Sequence, residues 1–119
     1  MELIASRRTR GATLSSHRDL GADLRRRIDF AAAGIVMDLS GQGVTGLISH
    51  VSFDMHPVVW LQTATDAQRD SLPLVGCQDV VARRLADQGV PPAASARVYA
   101  QSYETVDGDF AGDWNKATF

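Results

Sequence analysis

The segment IVMDLSGQG at residues 35–43 decides our prediction of the fold. Its first part, residues 35–39, is short, apolar and rich in β-favouring side chains, which predicts a buried central strand. The following Gly41-Gln42-Gly43 predicts a tight turn, because glycine adopts backbone angles that other residues avoid. Gly34 directly precedes the segment and is well placed to end a helix. We therefore predict that a helix ends at Gly34 and that a strand follows it.

A long helix is predicted before this strand. Ser16 and Asp19 have the spacing of a capping box, in which a hydroxyl and a carboxylate stabilise the first helical turn. The helix should therefore begin near Ser16. An apolar stripe repeats every four residues and should face the core; it consists of Leu20, Leu24 and Ile28. Short strands are also predicted at residues 3–6 and 12–15.

The chain beyond the turn combines strand and helix patterns. Residues 44–55 fit a strand, because apolar and polar side chains alternate over part of the segment, but they also fit a short helix that begins after Gly46. Residues 58–61 predict a strand. Residues 65–68 have the spacing of a second capping box, which predicts a helix as far as about Leu72.

The C-terminal part completes the predicted fold. Residues 78–88 predict a helix, and Asp107-Gly108 is a strong signal for a two-residue hairpin between strands at residues 96–105 and 109–119. The element order indicates an α/β or α+β fold. We predict one small sandwich domain over residues 1–119, with a mixed sheet, helices and a C-terminal β-hairpin.

Length and composition narrow the function classes. A chain of 119 residues with 45% hydrophobic and 22% charged residues fits one globular domain. The net charge of -2 argues against a nucleic-acid partner, because neutralising phosphates needs surplus Lys and Arg. No apolar run approaches the roughly 18 residues of a membrane span. The first residues lack the apolar stretch of a secretory signal, so a cytoplasmic location is expected.

The pattern of elements resembles a known family. Residues 10–14, 20–28 and 35–41 together resemble the opening of a STAS domain, the fold of bacterial anti-sigma-factor antagonists. Residues 58–61 and 66–72 are similar to a later strand and helix of that family. The resemblance covers residues 10–88 and leaves residues 90–119 as an extension. The resemblance implies a bacterial regulatory module.

The STAS resemblance also implies a site. In such antagonists a partner kinase phosphorylates a Ser or Thr just before a Gly-Leu pair, and Thr45-Gly46-Leu47 matches that pattern. Thr45 is thus the candidate phosphorylation site, and the interaction residues are Gly43, Thr45, Gly46 and Leu47. We expect a small non-catalytic module whose partner is another protein, a regulatory kinase or an anti-sigma-like protein.

A second resemblance gives a ligand-binding alternative. The pattern D-x-S-x-x-G, formed here by Asp38, Ser40 and Gly43, is similar to a signature of PilZ domains, which bind cyclic di-GMP on a β-barrel. The arginines that would grip the phosphates in this alternative are Arg7, Arg8 and Arg10.

A third hypothesis is enzymatic. Cys77 directly precedes a predicted helix, where the helix dipole could stabilise a thiolate, so a small cysteine-dependent hydrolase is the enzymatic alternative. The flanking apolar residues favour instead a structural, core-facing thiol. Residues 41–46 fit G-x-G-x-x-G, yet Leu61 stands where a ribose-binding acid is expected. We expect no cofactor and no metal site.

Overall fold

The computed structural model describes residues 16–91 and 95–118, and of residues 16–18 the backbone only. The predicted strands at residues 3–6 and 12–15 lie outside the described residues. The described chain contains five helices, three strands and one 3-10 turn at Ser40–Gln42, in the order α1 (Ser16–Leu39), β1 (Val44–Val51), β2 (Pro57–Thr63), α2 (Asp66–Ser71), α3 (Leu74–Asp87), β3 (Arg97–Ser102), α4 (Tyr103–Asp109) and α5 (Trp114–Thr118).

The three strands form one mixed sheet in the order β1-β2-β3. β1 and β2 are antiparallel neighbours joined by a turn at residues 52–56, whereas β2 and β3 are parallel. Parallel strands need a crossover connection, and here α2 and α3 provide it. The mixed sheet with helices confirms the predicted α/β class.

Helix α1 is longer than the sequence predicted. It begins at Ser16 as expected but continues through Gly34, so the predicted strand at residues 35–39 is wrong. A short apolar run does not distinguish a buried strand from a buried helix. Here the run extends the helical stripe, whose buried members are Leu24, Ile28, Ala31, Ile35 and Leu39.

Gly34 marks a close contact between helices rather than a helix end. A Cβ atom at this position would lie 3.0 Å from the guanidinium of Arg84. That guanidinium donates two hydrogen bonds to Asp38, at 2.7 and 2.8 Å, and so spans from α3 to α1. The absence of a side chain at Gly34 leaves room for this ion pair.

The segment after the glycine turn is a strand, which decides between the two predicted alternatives. Gly43 ends the 3-10 turn with φ 95°, a left-handed conformation that favours glycine. β1 then pairs with β2, with a bulge between Val44 and Gly46. Pro57 begins β2, where a missing N–H is tolerated, and residues 58–61 form a strand as predicted.

The α2–α3 region confirms the capping prediction. Thr65 accepts a hydrogen bond from the backbone N–H of Gln68, and the Gln68 side chain accepts one from the N–H of Thr65. α3 begins at Leu74, four residues before the predicted start, because Pro73 supplies its N-cap position.

The predicted C-terminal hairpin is wrong, although its first strand, predicted over residues 96–105, is present as β3. Asp107 and Gly108 lie inside α4 rather than in a turn between strands. The side chain of Ser102 accepts a hydrogen bond from the N–H of Thr105 and so caps α4 directly after β3. This cap outweighs the Asp-Gly turn signal, and the described residues after Ser102 form the two helices α4 and α5.

The core lies on one face of the sheet. α1 packs against β1, α3 packs against β3, and the two helices contact each other. The cluster between them and the sheet includes Val59 and Leu61 of β2, and its α3 members are Cys77, Val81 and Leu85. Burying these side chains stabilises the two-layer arrangement.

Candidate interaction surface

The other face of the sheet carries nine residues in three cross-strand rows. We call it the open face: its residues alternate with core residues such as Val59 and Leu61, and none of them belongs to the core cluster of the described residues, although Val58 and Gln62 are themselves buried. From the α2 end to the turn end, the rows are Gly46–Gln62–Gln101, Ile48–Trp60–Tyr99 and His50–Val58–Arg97.

The middle row is built around an aromatic pair. The rings of Trp60 and Tyr99 stack with centroids 4.8 Å apart and an interplanar angle of 28°. Tyr99 is 43% exposed, and Trp60 and Ile48 are partly exposed. Stacked aromatic rings offer a large, rigid apolar surface with polar atoms at its rim. Such a surface suits contact with another protein.

The turn end of the open face is held by a charged cluster. Arg97 donates a hydrogen bond of 2.7 Å to Asp54, which also accepts a short hydrogen bond from the Ser52 hydroxyl. The Ser52 bond and then the Arg97 bond lower the pKa of Asp54 to about 2. Burial, aided by the charge of Arg25, lowers the pKa of His50. At this end Asp54 and Arg97 are therefore paired with each other at neutral pH.

The α2 end is bordered by a second polar network. Asp66 accepts hydrogen bonds from the hydroxyls of Ser102 and Thr105, and these two bonds lower its pKa. Arg69 donates to Gln101 and to Thr105, both at 2.9 Å. Because Gln101 belongs to the open face, this network fixes one edge of that surface.

The predicted interaction residues lie at the same end. Thr45 is exposed, and its hydroxyl donates a 3.4 Å hydrogen bond to the backbone carbonyl of Gln62. Gly46 is on the open face, where a Cβ atom would lie 2.6 Å from the Gln62 side-chain oxygen. Leu47 instead packs against the core, and Gly43 shapes the turn.

Two groups of the ligand-binding alternative have hydrogen-bond partners within the described residues. Asp38 forms the ion pair with Arg84, and the Ser40 hydroxyl donates to the backbone carbonyl of Met37. The Arg84 hydrogen bonds lower the pKa of Asp38. The three arginines proposed as phosphate ligands, Arg7, Arg8 and Arg10, lie outside the described residues.

Cys77 has the surroundings of a structural thiol. Its side chain is fully buried within the core cluster, and burial raises its pKa. A nucleophilic thiol is normally partly exposed and has a depressed pKa. No group of three His, Cys, Asp or Glu side chains that could hold a metal ion occurs within the described ranges.

Sequence analysis did not identify the aromatic pair. The hairpin predicted from the sequence pairs the strand that contains Tyr99 with residues 109–119, and no local pattern brings Tyr99 to Trp60. The alternation in Arg97, Tyr99 and Gln101 was the available signal that one side of β3 is polar and aromatic. The parallel pairing of β2 with β3 is not visible in local patterns.

The comparisons give no family assignment. No protein-family model matches the chain, and neither a curated protein nor a solved structure matches it significantly. Over the part of the chain that the structure describes, no helix is long and apolar enough to cross a membrane.

Proposed function

We propose that this protein is a small non-catalytic regulatory module that binds another protein through the open face. The observation that carries the proposal is the stacked, partly exposed pair of Trp60 and Tyr99 on a sheet face separate from the core. Tyrosine and tryptophan are enriched among the residues that dominate binding energy. A cytoplasmic location belongs to the same proposal.

The surroundings of the aromatic pair support binding. Polar groups border it at both ends, with Gln62 and Gln101 on one side and Arg97 on the other. An apolar centre with a polar rim is the usual anatomy of a protein interface. By contrast, the buried Cys77 and the internally paired Asp38 give less support to a hydrolase or a cyclic-dinucleotide receptor.

Regulation through Thr45 is part of the proposal. Thr45 is exposed beside the open face, and its hydroxyl donates a hydrogen bond to the Gln62 carbonyl. A phosphate there adds about -1.5 to -2 charge and would repel this carbonyl. A partner kinase could in this way change the end of the open face that carries Gly46.

Affinity capture with matched tyrosine variants tests the binding surface. Tyr99 on the open face and Tyr103 on α4 are 43% and 41% exposed, so they form a matched pair. Wild type, Tyr99→Ser and Tyr103→Ser are each immobilised and incubated with a lysate of the organism whose genome encodes the wild-type chain. We expect wild type and Tyr103→Ser to retain at least one lysate protein in similar amounts. Tyr99→Ser should retain about tenfold less of it. Equal retention by all three would contradict the proposal.

The same experiment with Thr45 variants tests regulation. Thr45→Glu introduces a negative charge, whereas Thr45→Ala removes only the hydroxyl. We expect Thr45→Glu to change the amount of retained partner and Thr45→Ala to leave it close to wild type. Identical retention of the partner by both variants would rule out a charge switch at Thr45. The tyrosine variants would still test whether the aromatic surface binds the partner.

A further inference from the structure

The outer edge of β1 has no strand partner among the described residues. The strand order is β1-β2-β3, so β1 pairs with β2 on one side only. An unpaired edge presents a row of backbone N–H and C=O groups that can pair with another strand. The outer edge of β1 is therefore a candidate binding site.

The register shows which backbone groups of β1 point outward. The N–H of Ser52 donates to the carbonyl of His56 at 2.9 Å, next to the pair Val51–Pro57. Hydrogen-bonded and non-hydrogen-bonded pairs alternate between antiparallel strands. Val51 therefore belongs to a non-hydrogen-bonded pair, and its N–H and C=O point away from β2. The same alternation gives three outward-pointing residues, Leu47, Ser49 and Val51.

The outer edge of β1 lacks the features that protect edge strands. Natural proteins protect such edges with charged side chains, prolines, bulges or short strands. β1 is eight residues long and contains no Lys, Arg, Asp, Glu or Pro. Its bulge lies between Val44 and Gly46, so residues 47–51 keep a regular register. β3, the other edge strand, has six residues and begins with Arg97, so β1 is the edge that favours pairing.

The helix above β1 leaves room for one more strand. α1 packs against β1, and a helix with its side chains is about 10 Å wide. α1 therefore extends about 5 Å beyond β1, which is one strand spacing. Ala32 and Val36 are partly exposed and lie about 200° around α1 from Gly34, which faces α3. The overhanging side of α1 is apolar at these two residues, and Arg25 and Asp29 continue it towards the N-terminus.

We propose that an extended segment of a partner protein binds at the outer edge of β1 and extends the sheet as a fourth strand. Its backbone exchanges hydrogen bonds with the three outward-pointing residues, and such main-chain bonds supply the affinity in strand addition. Its side chains alternate between the two sides of the sheet. One set lies beneath Ala32 and Val36, and the other lies beside Ile48. Because β1 offers no charged side chain, the segment that fits is uncharged and rich in β-branched residues.

A second copy of the chain fits this edge less well than a single segment. Two β1 strands paired antiparallel about a twofold axis would lie about 4.8 Å apart. The same symmetry puts both α1 helices on one side of the sheet, each over its own β1. Packed helices need an axis separation of about 8–10 Å, so the two helices would overlap. A segment that brings no helix avoids this overlap.

This inference does not rest on the proposed function of the open face, because it uses backbone groups of β1 rather than Trp60 and Tyr99. The probe is a blocked peptide of alternating Val and Thr, as long as β1, with a Lys at each end for solubility. Amide hydrogen exchange of the full chain, followed by NMR, measures its binding. We expect about 1 mM peptide to slow exchange at least twofold at the three outward-pointing residues, Leu47, Ser49 and Val51.

Ser49→Pro and Ser49→Ala are the matched variants. Proline removes the outward N–H, which an edge strand tolerates, whereas alanine keeps it. We expect Ser49→Ala to bind the peptide like wild type and Ser49→Pro to bind it at least tenfold more weakly. The exchange measurement on wild type does not depend on the stability of Ser49→Pro.

Three results would overturn the proposal. The first is unchanged exchange at the outward-pointing amides with about 1 mM peptide, and the second is equal binding by the two Ser49 variants. The third is protection of these amides that rises with chain concentration in the absence of peptide, because it would identify a second copy as the occupant of the edge. Each result leaves the test of the open face with the tyrosine variants unaffected.

Discussion

Asp54 is the residue whose ionisation ties the turn at residues 52–56 to β3. Its carboxylate accepts hydrogen bonds from Ser52 and Arg97, and its pKa is lowered to about 2 from an ordinary value of 3.8. A carboxyl with a lowered pKa in the folded state stabilises the protein fully above its unfolded pKa. That stabilisation is lost as the pH falls through the folded value.

We therefore predict a pH-dependent effect of Asp54→Asn. The variant should unfold more easily than wild type at pH 5, and the difference in free energy of unfolding should shrink between about pH 4 and pH 2. Urea denaturation at a series of pH values measures it. A difference that stays constant over this range would show that Asp54 contributes nothing through its charge.

Cys77 gives a second prediction at the residue scale. Its thiol is fully buried and its pKa is raised, so iodoacetamide should alkylate it slowly in the folded protein and rapidly after denaturation. Cys77→Ser should reduce the free energy of unfolding by about 1 kcal/mol or more, because it places a hydroxyl in the apolar core without a compensating hydrogen bond. Fast alkylation of the folded protein, with an apparent pKa below about 7.5, would instead favour the hydrolase hypothesis.

At the scale of single elements, α1 shows how far sequence patterns reach. Its start at Ser16 could be predicted because helix starts have local signals. Its end could not, because Gly34 has the usual appearance of a helix end and residues 35–39 have the composition of a strand. The deciding fact is a contact with Arg84, fifty residues further along the chain. A local pattern contains no information about that contact.

Gly34→Ala tests this explanation of the glycine. Alanine is favoured over glycine in a helix interior by about 1 kcal/mol. Its Cβ atom, however, would lie 3.0 Å from the Arg84 guanidinium and displace it from Asp38. We predict little or no gain in stability from Gly34→Ala alone, and a gain of about 1 kcal/mol when Arg84→Ala is already present. Thermal or urea unfolding of wild type, Gly34→Ala, Arg84→Ala and the double variant measures the two changes in stability. An equal gain from Gly34→Ala with and without the Arg84 side chain would disprove the contact.

At the scale of the whole molecule, the fold class was accessible from sequence but the candidate surface was not. The capping box at Thr65 and the strand at residues 58–61 are local features, and both are confirmed. The open face depends on which strands are neighbours and in which direction they run. Trp60 meets Tyr99 only because β3 returns through the α2–α3 crossover to pair in parallel with β2. Long-range pairing of this kind leaves no period in the sequence.

The placement of the open face has a consequence for stoichiometry. The long helices α1 and α3 and the core lie on the other side of the sheet in a two-layer domain. Each chain therefore presents its open face in a single direction and would contribute one such contact surface to a partner. Avidity would then arise only where several chains, or several partner molecules, are held close together.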